Sequence, residues 1–364
     1  MASYRAGESP ALAEIYDAAT ADMMLGGATQ IAESVMAEHN VGYAPETFVP
    51  ALGSYYSNSE GLIAAQPFAA STAVMYSHRN ALVRAGIHQL PQTWEDFAAA
   101  LKALKKHGNG CPLVTDFTSW IWLEQTSATQ GSALASQGNG AHGLTARYRF
   151  DQGSHPSLMN DLARWNKSNW VVDQAATRSG LQTAAFASGE CAMLLDSTAA
   201  WRAIRDCGST DIDITALPVY AGTLRHSSVP GGSALWVMRG HSRQDYAVVA
   251  AFLAFVLRPE NQLFFSQQTG YLPVTQSAAA HVLDTTLEPT SVSVGLASLT
   301  DSNGQFSPPL RVGFMTRLRL IWSQQLQNAF SGRQTIEQAL QATVQRGNSL
   351  LTLFEETYRD APRR

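Results

Sequence analysis

Apolar residues recur at steps of three and four in several stretches, and each stretch opens and closes on residues suited to a helix end. Thr93 stands before Trp94-Glu95-Asp96, an N-cap with an acid at the third helical position. Trp94, Phe97, Leu101 and Leu104 form the apolar stripe, Lys105, Lys106 and His107 occupy the last turn, and Gly108 ends it. Ser242 with Asp245 opens a second helix, whose inward face is Tyr246, Val249, Leu253 and Val256. Pro259 starts a third at its first position and Gly270 stops it. Thr335 with Gln338 caps a C-terminal helix with the face Ile336, Leu340, Val344, Leu351 and Phe354.

Between these lie short apolar runs of strand type: Ala73–Tyr76, Ala192–Leu195, Ala234–Met238 and, with more polar alternation, Asp213–Pro218. Short apolar strands separated by helices predict an α/β fold with buried sheets. No internal repeat and no low-complexity linker interrupts the chain.

A length of 364 residues favours two domains, because one core rarely grows beyond about 250–300 residues. Lys and Arg number 25 against 29 Asp and Glu, a formal net charge of −4 without a basic patch, which argues against a nucleic-acid partner. The longest apolar stretch, Tyr246–Leu257, is shorter than the roughly 18 residues of a membrane span. Three cysteines do not make a disulfide scaffold, and the lack of C-x-x-C spacing argues against a zinc or redox motif. At most one pair forms, with Cys111 and Cys191 as the candidates; otherwise these are small buried apolar residues.

Catalytic signatures are missing. There is no phosphate-loop motif, no G-x-G-x-x-G after a strand, no nucleophile elbow and no H-E-x-x-H, and the nine histidines lack ligand spacing. Asp211 and Asp213 read as a strand entrance, not a calcium loop. Neither metal nor cofactor is expected. In their place are five loops that mix small and hydroxyl residues with aromatics: Gln66–Thr72, Asp196–Ala200 before Trp201, Pro230–Ser233, Thr269–Pro273 and Pro308–Arg311. Each alone is ordinary turn chemistry. Together, with hydroxyls and backbone N–H groups at helix starts, they point to a site for a polar small molecule.

The stretch Gly53–Asp96, with Ser-Tyr-Tyr-Ser-Asn-Ser, Gln-Pro-Phe-Ala-Ala-Ser-Thr and Thr-Trp-Glu-Asp, resembles the extracellular solute-binding proteins of ABC importers. So do Gly189–Met193, Gly231–Met238, Arg258–Asn261 and Thr269–Pro273, and the likeness covers essentially the whole chain. Within the family it is strongest to the members that take up glycerol phosphates, whereas Ser331–Thr335 is shared with the wider maltose-type group. The resemblance implies two α/β lobes of the periplasmic-binding-protein type II fold, hinged by crossing strands near Ser71, Gly232 and Pro308–Arg311, with a ligand cleft between them. The first lobe would take residues 1–72 and 235–298, the second 73–234 and 299–364. The implied function is capture, without catalysis, of sn-glycerol-3-phosphate or a glycerophosphodiester in the periplasm, by a monomer that delivers it to a permease with its ATPase.

Carried over residue by residue, Ser71 and Thr198 would contact the ligand through hydroxyls, Gly232 through a backbone N–H and Tyr271 through its phenol. Arg311 would grip the phosphate bidentately. Asp17 stands where the family has a glutamate that holds the glycerol hydroxyls, and Trp120 belongs to an aromatic wall whose first member is Phe117 in place of tryptophan. Because Asp17 and Phe117 are each smaller than the family residue, they imply a roomier glycerol side that favours bulkier diesters. An oligosaccharide receptor and an enzyme acting on a phosphorylated polyol are the competing readings. Arg311, Ser71 and Tyr271 favour the phosphate, and the missing acid–base pair counts against the enzyme.

Met1–Gly7 carries no basic and apolar leader, which by itself reads as cytoplasmic. The chain begins where the family is already inside its second helix, at Tyr4–Gly7. The expectation is a strand–helix–strand unit of roughly 30 residues or more, behind a signal peptide, encoded upstream of a late start or lost by truncation.

Overall fold

A computed structural model describes residues 9–359 apart from 44, 209–210, 287 and 301–304. Tyr4–Gly7, on which the mid-helix start rests, lies outside the described residues. Among the described residues the strands are β1 (Leu12–Tyr16), β2 (Thr29–Gln30), β3 (Gln66–Ser71), β4 (Ala73–His78), β5 (Leu113–Thr115), β6 (Val171–Asp173), β7 (Met193–Ser197), β8 (Ile212–Thr215) and β9 (Gly231–Met238). They form two sheets.

The first sheet is built around β9. Antiparallel β1 runs along one edge, Leu12 opposite Val237 through Tyr16 opposite Ser233. Along the other edge β3 pairs near the start of β9 and β2 near its end. The Gly-Gly-Ser-Ala-Leu-Trp-Val-Met run explains this central place. Ala234, Trp236 and Met238 pack on one face with Met23, Tyr55 and Tyr56. Leu235 and Val237 pack on the other with Val35, Met36, Val249 and Leu253. A strand buried on both faces reads as a continuous apolar run.

The second sheet has the order β6-β5-β7-β4-β8, with β5 parallel to β6 and β7, and β4 antiparallel to β7 and β8. Its large core joins Trp94, Phe97 and Leu101 of the helix Trp94–Lys106 to Trp122 and Trp165. Cys111 and Cys191, just ahead of β5 and β7, are disulfide-bonded, which settles the alternative left open above; Cys207 is free and exposed.

The helix caps are those the sequence calls for. Thr93 Oγ1 accepts from Asp96 N at 3.1 Å, and Ser242 with Asp245 and Thr335 with Gln338 form capping boxes. Pro259 opens Pro259–Thr269, and Gly270 (φ +80°) closes it.

The chain crosses between the sheets at Thr72, between β3 and β4, and again just before Gly231. The returning strand enters the first sheet at Gly231, four residues ahead of the expected boundary at 235. Thr72 ties the two crossings together: its Oγ1 lies 2.9 Å from Ser228 Oγ and 3.0 Å from the Val229 carbonyl, which also accepts from Gln125 Nε2 at 2.8 Å. The helix Ser291–Thr300, whose residues to 298 were assigned to the first lobe, packs on β4 and β8 of the second sheet as well as on the helix Pro50–Tyr56. It spans the junction. Gly295 makes this approach possible, since a Cβ there would stand 2.6 Å from Thr198 Cγ2 and 3.1 Å from Leu272.

Candidate ligand-binding cleft

A cleft of about 250 Å³ opens where the strands cross. It is lined by Tyr16, Asp17, Ser71, Asp116, Thr118, Trp120, Gln182, Asp196, Ser197, Gly232, Tyr271 and Arg319. The sequence therefore brings five of its eight candidates into one place: Asp17, Ser71, Trp120, Gly232 and Tyr271.

Ser71 ends β3 opposite Gly231, and Gly232 pairs with Ala70. Gly232 has φ +96°, and a Cβ on it would fall 1.9 Å from the Ala69 carbonyl oxygen, so only glycine fits. Gly231 is equally confined, because its own Cβ would meet the Trp120 indole at 2.5 Å. Trp120 begins a π-helical turn, Trp120–Gln125, an uncommon element that concentrates at functional sites. The Thr-Gly-Tyr-Leu-Pro loop is fastened to β3 by Leu272 N, which donates to the Ala70 carbonyl at 2.7 Å. Tyr271 stacks on Phe265, centroids 5.8 Å apart. Burial raises the Tyr271 phenol, which keeps it a proton donor at neutral pH.

Asp17 is 5% exposed and accepts from Arg319 Nη2 at 3.0 Å. Burial pushes its carboxyl up, and the Arg319 guanidinium only partly opposes the rise. Arg319, on the helix Met315–Phe330, also holds Glu124, with Nε–Oε1 at 3.1 Å and Nη2–Oε2 at 2.9 Å. Burial alone would lower its proton affinity, but Glu124 and Asp17 together raise it, so it stays cationic.

Three expected residues lie elsewhere. Arg311 does not line the cleft. Its guanidinium donates to the carbonyls of Ser57 and Tyr55, both at 3.0 Å, and of Ser54. These are the orphan acceptors at the end of the helix Pro50–Tyr56, where a cation also meets the negative end of the helix dipole. The cationic residue of the cleft is Arg319, eight positions on, within a second Leu-Arg pair. Phe117 is also displaced. Its φ of +55° turns the ring into the core against Phe330 at 4.7 Å, while its neighbours Asp116 and Thr118 line the cleft. Phe117 therefore does not widen the glycerol side. Thr198 is wholly buried: its N donates to the Thr72 carbonyl at 2.9 Å, its carbonyl accepts from Tyr76 at 3.1 Å, and the cleft receives the preceding Ser197 instead.

Asp116, Asp196, Gln182, Ser197 and Arg319 were not singled out from the sequence. Asp196 and Ser197 sit in a loop that was, but the carboxylate there gave no local sign of facing a ligand. Asp196 accepts from Ser197 N at 2.7 Å, Thr183 Oγ1 at 3.0 Å and Gln182 Nε2 at 3.2 Å. Among the described residues no group of three or more His, Cys, Asp or Glu could hold a metal ion, and no single helix is long and apolar enough to cross a membrane.

Residues 1–288 match the family described as bacterial extracellular solute-binding protein. The chain is 32% identical, over 98% of its length and 83% of the relative's, to the sn-glycerol-3-phosphate-binding periplasmic protein UgpB of Escherichia coli K12. The same identity and coverage hold for its counterpart in Shigella flexneri. Among solved structures, maltose-bound MalE3 of T. maritima superposes with a TM-score of 0.76 at 15% identity, covering 97% of this chain and 87% of that one. UgpB of Mycobacterium tuberculosis, in complex with glycerophosphocholine, gives 0.76 at 19% identity, covering 97% and 86%. Fold, family model and curated relatives agree, and none of these relatives is an enzyme: the chain belongs to the bacterial extracellular solute-binding proteins, the two-lobed receptors of ABC importers.

Proposed function

We propose that this receptor captures glycerol phosphates, as sn-glycerol-3-phosphate or its diesters, and hands them to a permease and its ATPase at the membrane. The observation that carries the reading is the meeting, in one cleft, of the Arg319 guanidinium with Ser71, Tyr271 and the backbone at Gly232. Nε and Nη2 of Arg319 are committed to carboxylates, which leaves Nη1 for a phosphate oxygen. Ser71 and Tyr271 add neutral donors, and hydrogen bonds to a charged group are the strong ones. Asp17 supplies an acceptor for glycerol hydroxyls beside them. The relatives named for glycerol-3-phosphate support the assignment. The disulfide fits an oxidising compartment such as the periplasm, where the protein acts as a monomer.

Calorimetry on the full chain tests this. Binding of sn-glycerol-3-phosphate or a glycerophosphodiester, with none of maltose, is expected; maltose binding without glycerophosphate binding would overturn the reading. Arg319→Lys keeps the charge but loses the planar fork, so it should weaken glycerophosphate by at least about tenfold. Arg311→Ala should leave affinity nearly unchanged and lower stability by about 2–3 kcal/mol, through unmet helix-end carbonyls.

A further inference from the structure

Charge is unevenly distributed in the cleft. Its lining holds three carboxylates, Asp17, Asp116 and Asp196, and one guanidinium, Arg319. That guanidinium is already matched by Asp17 at 3.0 Å and by Glu124 at 2.9 Å. Asp116 and Asp196 are left over. Among the described residues neither forms an ion pair, and the charged groups that bear on them are themselves carboxylates, Asp173 on Asp116 and Asp116 on Asp196.

Topology holds these two side chains together. β5 and β7 are parallel neighbours with Leu113 beside Met193 and Val114 beside Leu194, an offset of 80 residues. Asp116 and Asp196 keep the same offset just past the paired positions. Gln182 bridges them: its Oε1 accepts from Asp116 N at 2.8 Å and its Nε2 donates to Asp196 Oδ2 at 3.2 Å. Among the described residues, the Asp116 carboxylate accepts at Oδ1 from Thr118 N at 2.9 Å. All the hydrogen-bond partners of both carboxylates are neutral.

Uncompensated carboxylates in a cleft repel a phosphate monoester, which carries about −1.5 to −2 charges at neutral pH. They attract a ligand that brings its own cation. We infer that Asp116 and Asp196 form a headgroup subsite that selects glycerophosphodiesters bearing an ammonium group, such as the choline diester, over the plain monoester and over diesters with uncharged headgroups. The inference rests on the glycerophosphate reading above and assigns the far end of the same ligand. The phosphodiester contributes one negative charge toward Arg319, Ser71 and Tyr271. The ammonium answers the two carboxylates, and Trp120 and Tyr16 in the same lining offer ring faces to it.

The test compares three probes by calorimetry on the full chain: sn-glycerol-3-phosphate, glycerophosphocholine and glycerophosphoglycerol. The last has the same phosphodiester and no cation. The wild type should bind the choline diester at least about tenfold more tightly than either of the others. In the double variant Asp116→Asn with Asp196→Asn, which keeps the hydrogen-bonding shape, that advantage should shrink to about twofold or less. Equal wild-type affinity for the two diesters overturns the inference and needs no variant to fold. A double variant that keeps the wild-type ratio overturns it too. In both cases the glycerophosphate reading stands. If the wild type binds none of the three, that reading fails and the subsite fails with it.

Discussion

Asp196 is held by three neutral donors, yet burial pushes its carboxyl up to about 6, with Asp116 adding to the rise. Its proton is therefore bound more tightly in the folded chain than in the unfolded one, where the ordinary value is 3.8. A raised acid lowers stability as pH climbs from the unfolded value through the folded one, so the free protein should lose stability between about pH 4 and pH 6. Asp196→Asn removes that slope. At pH 7 we expect the variant to melt higher by about 2–4 °C, a gain of order 1 kcal/mol, while binding a cationic diester less well. Thermal melts of both proteins at pH 4 and pH 7 decide it: a wild-type slope unchanged by the substitution would mean that Asp196 ionises freely. Arg311 and Arg319 carry a different lesson at this scale. Both follow a leucine, eight residues apart, and nothing local tells them apart. One donates to the carbonyls of Ser54, Tyr55 and Ser57 at a helix end. The other lies on a helix that faces two acids brought from Asp17 and Glu124.

Elements whose signals are local were legible in the sequence. Thr93, Ser242 and Thr335 cap the helices they precede, Pro259 and Gly270 bound another, and the apolar run after Gly232 becomes the central strand. The crossings beside Ser71 and Gly232 rest on residues with few substitutes. Gly232 is the clearest. Alanine there would combine a φ of +96° with a Cβ set 1.9 Å from a backbone carbonyl, and β3 and β9 cannot both hold their register around it. Gly232→Ala should cost about 3 kcal/mol or more in chemical denaturation and disturb the Ser71 side of the cleft. A loss below about 1 kcal/mol would show that the crossing yields without strain. What stayed hidden depends on contacts between distant segments. Asp116 and Asp196 become neighbours only once β5 and β7 pair. Phe117 turns inward because its backbone takes a left-handed conformation that an aromatic residue does not advertise.

At the scale of the whole molecule, the chain passes between the two sheets at Thr72 and again ahead of Gly231, and the hydrogen bonds of Thr72 join these two crossings. Hinged closure around such crossings carries the walls of the cleft toward each other as rigid bodies. The acidic wall then needs a fixed spacing of its own, and the cross-link supplies it. Cys111 and Cys191 each stand five residues ahead of one carboxylate and just ahead of β5 and β7, whose direct ladder has two paired positions. Each residue of slippage between the strands would separate the carboxylates by about 3.3 Å along the sheet, enough to prevent one ammonium from meeting both. The sulfur bridge is thus the stop on a sliding scale, and headgroup discrimination becomes a gauge of thiol state. Under a reductant that leaves the far-UV circular dichroism intact, affinity for glycerophosphocholine should fall while affinity for sn-glycerol-3-phosphate holds. An equal loss for both would assign the bridge to the stability of the lobe alone.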